Sequence, residues 1–222
     1  MLAPFSGTPY YKFTGGKDAE MKFDHKKFFD LYRAEYGSMN QSQVDGIESL
    51  LTSIESDAAV TDVRWAAYML ATTKHECADK WQPIEEYGKG SGKEYGKPVT
   101  VVGSDGMSYT NTYYGRGYVQ LTWKDNYDKM SKNLDLSDQL LIKPALALDP
   151  PTAYEIMSYG MRKGSFTGKK LADYIHDQTC DYKNARRIIN GTDQADKIKG
   201  YAQKLESFLN ESMIPQASAA GG

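Results

Sequence analysis

Apolar residues recur at helical spacing through most of this chain. The clearest run in its first quarter has five apolar positions three or four apart: Val44, Ile47, Leu50, Leu51 and Ile54. Such spacing places one face of a helix against a core, and Asn40 or Ser42 can begin it. An earlier helix is predicted from its N-cap Asp24 to about Gly37.

Four further stretches predict helices. Residues 56–76 form the longest, mostly apolar or small, and end in His75-Glu76. Another helix is expected from about Trp123 to Leu134. Asp149-Pro150-Pro151 starts a helix that stops by Gly164, because proline is tolerated in a first turn. A last helix has its apolar face between Ile198 and Leu209.

Shorter and non-helical segments complete the pattern. Short helices are expected around 171–175 and from Asp181 to Asn190-Gly191. Residues 99–102 and 107–113, joined by the turn 103–106, predict a β-hairpin. The chain is therefore expected to be mainly α, with one small β-hairpin. We divide it into an N-terminal arm (1–22), a single catalytic domain (23–214) and a disordered tail (215–222).

Composition excludes several classes of function. The 222 residues carry a net charge of only −2, whereas nucleic-acid partners usually require a basic surface. No stretch approaches the ~18 apolar residues of a membrane span, and the first residues do not resemble a secretory signal. The two cysteines, Cys77 and Cys180, are expected to be free thiols in a reducing cytoplasm.

Two carboxylates near the centre of the first half carry the candidate chemistry. Glu76 ends the predicted 56–76 helix, and Glu85 follows nine positions later, beyond Pro83. Because proline interrupts a helix, the two lie on different elements and can face each other across a cleft, as glycoside hydrolysis requires. Glu76 would be the acid and Glu85 the base, with the adjacent Glu86 a competing candidate.

Other chemistries fit the same stretch poorly. A zinc hydrolase needs H-E-x-x-H, but position 79 is Asp and the other histidines, His25 and His176, are distant. Residues 88–94 lack the spacing of a phosphate-binding loop. His75 and Cys77 are two positions apart on a helix and do not face each other. No metal and no cofactor is expected.

The stretch Tyr113–Tyr127, YYGRGYVQLTWKDNY, is the most specific signal. Tyr114 offers a ring face. Gln120, Thr122 and Asn126 are polar groups near a strand-to-helix junction, where they can hydrogen-bond sugar hydroxyls, an acetamido group or a water. Thr122 can equally be only a helix N-cap.

This stretch resembles the signature of glycoside hydrolase family 19, which contains chitinases and many phage endolysins. His75-Glu76 resembles that family's catalytic-acid motif, and RRIING at 186–191 resembles its Asn-bearing segment on the far wall of the cleft. The short Glu76–Glu85 spacing is more similar to the phage endolysins than to the plant chitinases. The resemblance spans roughly residues 65–208.

The resemblance implies a lysozyme-like, two-lobed fold with a substrate cleft. It implies that Glu76 is the general acid, that Glu85 is the base, and that Thr122 helps to hold the attacking water. By the same resemblance, Gln120 and Asn126 contact sugar, and Asn190, with Arg187 beside it, matches the far wall of the cleft. Tyr114 is a further expected substrate contact because of its ring face. These five residues are the predicted substrate-binding set. Cys77 departs from the pattern, because a small hydroxyl residue usually follows the acid.

The resulting hypothesis is a monomeric phage endolysin that cuts β-1,4 bonds of bacterial peptidoglycan with inversion of configuration. It would collect in the host cytoplasm and reach the periplasm through a holin, without inserting stably in the membrane itself. A chitinase is the alternative of the same class. A non-catalytic cell-wall sugar-binding protein is the alternative of another class.

Overall fold

A computed structural model describes residues 21–215. Seven α-helices and six short strands lie within that range: α1 (His25–Tyr36), α2 (Gln41–Ser56), α3 (Val63–Glu76), β1 (Ile84–Glu85), β2 (Val99–Val102), β3 (Ser108–Asn111), β4 (Arg116–Gly117), α4 (Lys124–Asn133), α5 (Gln139–Ile142), α6 (Pro150–Lys163), β5 (Ile175–His176), β6 (Thr179–Cys180) and α7 (Ala195–Ser212). Short 3-10 helices occupy Glu94–Gly96, Pro144–Leu148, Leu171–Asp173 and Asn184–Ile188.

Helix α3 is the centre of the core and packs along α7. Every residue from Ala66 to Lys74 is buried, so the helix is enclosed on all sides. Its small residues Ala66, Ala67 and Ala71 allow neighbouring elements to approach closely. A helix buried all round has little freedom to shift, and its C-terminal residue Glu76 is therefore held firmly.

The predicted helix starts are confirmed by their caps. Asp24, Asn40 and Asp149 each accept a hydrogen bond from a backbone N–H in the first turn of α1, α2 and α6. The left-handed residue Gly164 ends α6. These signals are local, since a short polar side chain satisfies free N–H groups of its own helix.

The strands form three separate antiparallel pairs: β1 with β4, β2 with β3, and β5 with β6. The predicted hairpin is present as β2–β3, with Val99 opposite Asn111 and Val102 opposite Ser108, and its second strand is shorter than the predicted 107–113. The sequence pattern had not indicated the other two pairs. Strands of two residues are too short to show an alternating pattern.

Three predicted helices differ from those observed. The predicted 56–76 helix begins only at Val63, because α2 extends to Ser56 and Asp62 caps α3. A 3-10 turn and strand β5 replace the helix expected around 171–175. The helix expected from Asp181 is a five-residue 3-10 helix, Asn184–Ile188. Turn-forming residues and tertiary pairing outweigh helical spacing in these short segments.

The two ends of the described chain lie side by side. Phe23 forms an antiparallel bridge with Met213, and the Ile214 backbone N–H donates to the Lys22 carbonyl over 2.8 Å. Met21 is buried. The rest of the arm, residues 1–20, and tail residues 216–222 lie outside the described residues. No helix between residues 21 and 215 is long and apolar enough to cross a membrane.

Candidate active site

Glu76 is the last residue of α3, and its side chain is 17% exposed. Arg186 Nη1 lies 2.5 Å from Glu76 Oε1. Arg186 is itself buried and its Nε donates to the Asp193 carbonyl over 3.0 Å. The carboxylate at the helix end is thus ion-paired to an arginine 110 positions later in the chain.

Arg186 is a site residue that the sequence interpretation missed, because the motif RRIING was assigned to its neighbour Arg187. Arg187 is exposed, and Arg186 faces inward. Asn190 is also exposed, and its Oδ1 accepts a hydrogen bond from the Gly191 N–H over 2.8 Å. The 3-10 helix Asn184–Ile188 turns Arg186 toward Glu76 at the end of α3.

The segment between Glu76 and Glu85 is an irregular turn. The helix ends at Glu76 itself, several residues before Pro83, and Ala78, Asp79 and Trp81 all adopt positive φ angles. Trp81 is fully buried, and its carbonyl oxygen would lie 2.0 Å from a Cβ placed on Gly46. A glycine at position 46 is therefore required for this close approach.

A buried lysine fixes the same turn to the core. Lys74 Nζ donates to Asp79 Oδ1 over 2.6 Å and to the Tyr32 hydroxyl over 2.7 Å. Its ammonium group also lies 4.1 Å from the ring centroid of Tyr36. Burial lowers the pKa of Lys74, although the hydrogen bond that Lys74 donates to Asp79 opposes that effect. The turn is thus held by polar contacts inside an aromatic environment.

Strand β1 carries Glu85 and pairs with β4, so that Glu85 lies opposite Arg116. Glu85 Oε1 accepts a short hydrogen bond from the Tyr114 hydroxyl, and Lys89 Nζ lies 2.7 Å from Oε2. Arg116 Nε is 4.0 Å from Oε1. Lys89 and then Tyr114 hold the pKa of Glu85 below its usual value, which favours the ionised carboxylate.

Glu86, the competing candidate, has a different environment. Its Oε2 accepts from the Gly115 N–H over 2.7 Å, and its Oε1 accepts from the Gly90 N–H and the Tyr95 hydroxyl over 3.0 and 3.2 Å. These bonds tie the glycine-rich loop to the β4 segment. Since its lone pairs already hold the local backbone, Glu86 is suited to a structural role.

The chain neighbours of Glu76 and Glu85 both contact Gly117 in β4. The residue after Glu76, Cys77, is buried with its Sγ 3.8 Å from the Gly117 carbonyl oxygen. Gly117 also pairs with Ile84, the residue before Glu85. Burial raises the pKa of the Cys77 thiol to about 12, so it stays protonated beside these carbonyls. Both cysteines are free; Cys180 is exposed.

Arg116 organises the Tyr114 side of the site and was also missed. Its guanidinium carbon lies 3.6 Å from the Tyr114 ring centroid, and Nη1 donates to the Thr112 carbonyl and the Tyr127 hydroxyl over 3.0 and 3.1 Å. Tyr114 is only 7% exposed. The open ring face expected for Tyr114 is therefore absent, and its hydroxyl contacts Glu85 instead.

The polar residues after Gly117 surround the same strand pair. Gln120 Nε2 donates to the Ile84 and Gly117 carbonyls, each over 3.1 Å, which braces β1 against β4. Thr122 Oγ1 donates to the Gln120 carbonyl over 2.7 Å, so its lone pairs face outward as acceptors. Asn126 is exposed, and its Nδ2 donates to the Thr122 carbonyl over 2.7 Å. The N-cap of α4 is Trp123, not Thr122.

Two kinds of comparison gave no match: no protein-family model and no curated protein is similar to this sequence. Solved structures are similar in fold. Chitinase C from Streptomyces griseus HUT6037 superposes with a TM-score of 0.58 at 19% identity, covering 87% of this chain and 79% of that chain. A mutant of chitinase C gives a TM-score of 0.57 at the same identity and coverage.

A bacterial family 19 chitinase gives a TM-score of 0.55 at 19% identity, covering 84% of this chain and 94% of that chain. These likenesses extend over most of the described residues. They confirm the predicted fold class, mainly α with small β elements in a lysozyme-like arrangement. The chain has the fold of the family 19 chitinases.

Proposed function

We propose that this protein is a glycoside hydrolase that cleaves β-1,4 bonds of an N-acetylhexosamine polymer with inversion of configuration. The contrast between Glu76 and Glu85 supports this proposal. One carboxylate sits at the end of a buried helix, and the other is ionised among polar partners on a separate strand pair. Two carboxylates in unlike environments, whose chain neighbours both contact Gly117, suit an acid and a base.

In this mechanism, Glu76 is protonated in the substrate complex and gives that proton to the glycosidic oxygen as the C1–O bond breaks. Arg186, 2.5 Å away, stabilises the negative charge that Glu76 then acquires. Glu85 takes a proton from a water whose oxygen bonds to C1 from the opposite face. Thr122 accepts a hydrogen bond from that water. Inversion requires carboxyl groups about 6.5–9.5 Å apart.

Glu85 is favoured over Glu86 as the base. Its side chain is 33% exposed, whereas Glu86 accepts three hydrogen bonds from the surrounding loop. Tyr114 acts on Glu85 as a positioning residue. Gln120, Asn126, Arg187 and Asn190 are proposed substrate contacts, of which Gln120 also holds β1 and β4 together.

We infer that the physiological substrate is bacterial peptidoglycan and that the protein is a phage endolysin. The nine-residue spacing between acid and base supports this choice, since it resembles the endolysins of family 19. The enzyme would act as a monomer without a cofactor. It would gather in the host cytoplasm and enter the periplasm through a holin. The chitinases among its structural neighbours favour chitin as the second candidate substrate.

The test compares lysis of outer-membrane-permeabilised bacteria with release of soluble sugar from colloidal chitin. Lysis without chitin cleavage is the expected result. Chitin cleavage alone would make the protein a chitinase. Binding without hydrolysis of either polymer would identify a non-catalytic sugar-binding protein.

Glu76→Gln provides the mechanistic control. Removal of a general acid typically costs about 10²–10⁴-fold in rate. The variant should lose lysis by that factor while its circular dichroism stays unchanged. Glu94→Gln is the matched variant, because Glu94 is an exposed carboxylate whose ion pair among residues 21–215 is with Lys97. Near-wild-type lysis by Glu76→Gln would exclude this mechanism.

A further inference from the structure

Two large aromatic side chains are exposed among residues 21–215, and both adjoin the candidate site. Tyr87 is 80% exposed and follows Glu86, and Trp123 is 50% exposed and follows Thr122. The other two tryptophans differ, since Trp81 is fully buried and Trp65 is partly buried. The half-exposed indole of Trp123 is accessible to a ligand next to Thr122, the proposed water-holding residue.

The backbone of Trp123 is strained. Its φ and ψ angles are 77° and 134°, a region that residues other than glycine rarely adopt. Bulky side chains at positive φ are outliers. Burial compensates for the positive φ of Trp81, but Trp123 is half exposed. Such an outlier at a candidate site is typical of a side chain held for function.

Three backbone hydrogen bonds fix Trp123 in this conformation. Its N–H donates to the Tyr113 carbonyl over 2.9 Å, and its carbonyl accepts from the N–H groups of Asn126 and Tyr127 over 3.0 and 3.2 Å. Trp123 therefore links the Tyr113 segment to the first turn of α4. The indole ring projects from a fixed point and not from a free loop.

The ring itself is supported by Tyr95. The two ring centroids are 5.2 Å apart, with an interplanar angle of 76°, which is a favourable edge-to-face contact. The Tyr95 hydroxyl donates to Glu86 Oε1 over 3.2 Å, and its carbonyl accepts from the Tyr113 N–H over 3.2 Å. The chain Glu86–Tyr95–Trp123 thus ties the indole to the segment that carries Glu85.

We propose that Trp123 is a stacking platform for one pyranose ring of a β-1,4-linked N-acetylhexosamine chain. Sugar rings present C–H groups on one face, which pack against an aromatic surface while the hydroxyls bond polar neighbours. Trp123 follows Thr122 and precedes the exposed Asn126 by three positions, so polar partners lie close by. The inference rests on the proposed function, because it names a sugar contact of the same site.

The proposed role of Trp123 is tested by measuring sugar binding in a variant that cannot hydrolyse the sugar. In a Glu76→Gln background, isothermal titration measures the affinity for a hexamer of β-1,4-linked N-acetylglucosamine and for solubilised peptidoglycan glycan strands. Trp123→Ala should weaken binding of at least one probe roughly tenfold, the factor that one stacking contact is worth. Trp123→Phe should keep the affinity within about threefold, since it preserves an aromatic face.

Two further readouts separate binding from folding. Trp123→Gly relieves the strained backbone, so its melting temperature should stay close to that of the parent while binding weakens as in Trp123→Ala. Ile214→Ala is the matched control. Ile214 is 48% exposed but lies beyond the far end of α7, about 27 Å along the helix from the end near Arg186.

The outcomes distinguish the platform from the proposed hydrolase. Equal affinity of Trp123→Ala and its parent, or no binding of either probe by the parent, overturns the platform. Equal losses in Trp123→Phe and Trp123→Ala also overturn it. If wild-type protein hydrolyses neither polymer but binding still depends on Trp123, the platform stands and the hydrolase fails. In active enzyme, Trp123→Ala should raise KM more than it lowers kcat.

Discussion

The two candidate carboxylates are held by opposite means. Glu76 ends a helix buried on every side, and its position follows from the packing of α3 against α7. Glu85 sits on a two-residue strand outside the core, and polar contacts from Tyr114, Lys89 and Arg116 orient it. One position is set by hydrophobic burial and the other by hydrogen bonds and charge.

This difference matches the two tasks proposed for them. A proton donor benefits from a fixed place beside the scissile oxygen, which close packing provides. A base that activates water needs its charge and contact with solvent, which a half-exposed strand provides. The two regions should therefore respond differently to substitution, and the following variants test that expectation.

The largest effect is expected on the Glu85 side. Glu85→Gln should lower kcat by about 10²–10⁴-fold with little change in stability, because the side chain at position 85 is 33% exposed and an amide oxygen can still accept from the Tyr114 hydroxyl. Glu86→Gln should instead destabilise the fold by about 1–3 kcal/mol, since an amide N–H would oppose a backbone N–H of Gly115 or Gly90. Steady-state kinetics and thermal unfolding of both variants measure this. The reverse pattern would make Glu86 the base.

The next effect concerns the support of Glu76. Arg186→Met should cost about 2–3 kcal/mol of unfolding free energy, because it leaves a mostly buried carboxylate without its partner. It should also lower kcat. Arg187→Met is the matched control one residue away, and as an exposed change it should stay within about 0.5 kcal/mol. Denaturant unfolding distinguishes the two, and equal losses would contradict the assigned ion pair.

A smaller effect is expected in the turn between the two carboxylates. Gly46→Ala brings a methyl group against the Trp81 carbonyl and should destabilise the protein by about 1–3 kcal/mol. Gly200→Ala tests the same change in α7, where nothing lies within 4 Å of the added carbon. That control should gain about 0.5–1 kcal/mol from helix propensity. Thermal unfolding of both gives the comparison.

The smallest effect is a shift in pH dependence. Lys89→Met removes the largest cause of the lowered pKa of Glu85, so that pKa should rise toward its usual value of 4.5. A base works only when ionised, so the acidic limb of kcat/KM should move to higher pH. The shift should be under about one unit, because Lys89 is exposed and salt screens the pair. Lys97→Met, equally exposed, should leave the limb in place.

The lowered pKa of Glu85 also makes the stability of the fold depend on pH. A carboxylate with a lowered pKa adds stability above its usual pKa and loses that contribution as the pH falls through its folded value. As the pH falls below the usual pKa of a glutamate, wild-type protein should therefore lose the small stabilisation that comes from ionised Glu85. Lys89→Met should lose less, because this variant lacks the main cause of the lowered pKa. Denaturant unfolding between about pH 3 and pH 6 would show the unfolding free energies of the two proteins converging as the pH falls.

Local signals in the sequence predicted the helices and the place of Glu76. Caps such as Asp24 and Asp149 act within one turn, so no distant information is needed. Local signals could not decide which of two adjacent residues faces the site. Arg186 or Arg187, and Glu85 or Glu86, differ only in the face that a short segment turns toward α3 or β4. Those contacts join residues about 30 to 110 positions apart and leave no periodic signal.

The adjoining ends of the domain have a practical consequence. Because Phe23 bridges Met213, the two ends of the described range lie together, away from the end of α7 near Arg186. The protein is therefore a candidate for circular permutation, with a short linker across these ends and new termini opened in the exposed hairpin turn at Ser104-Asp105.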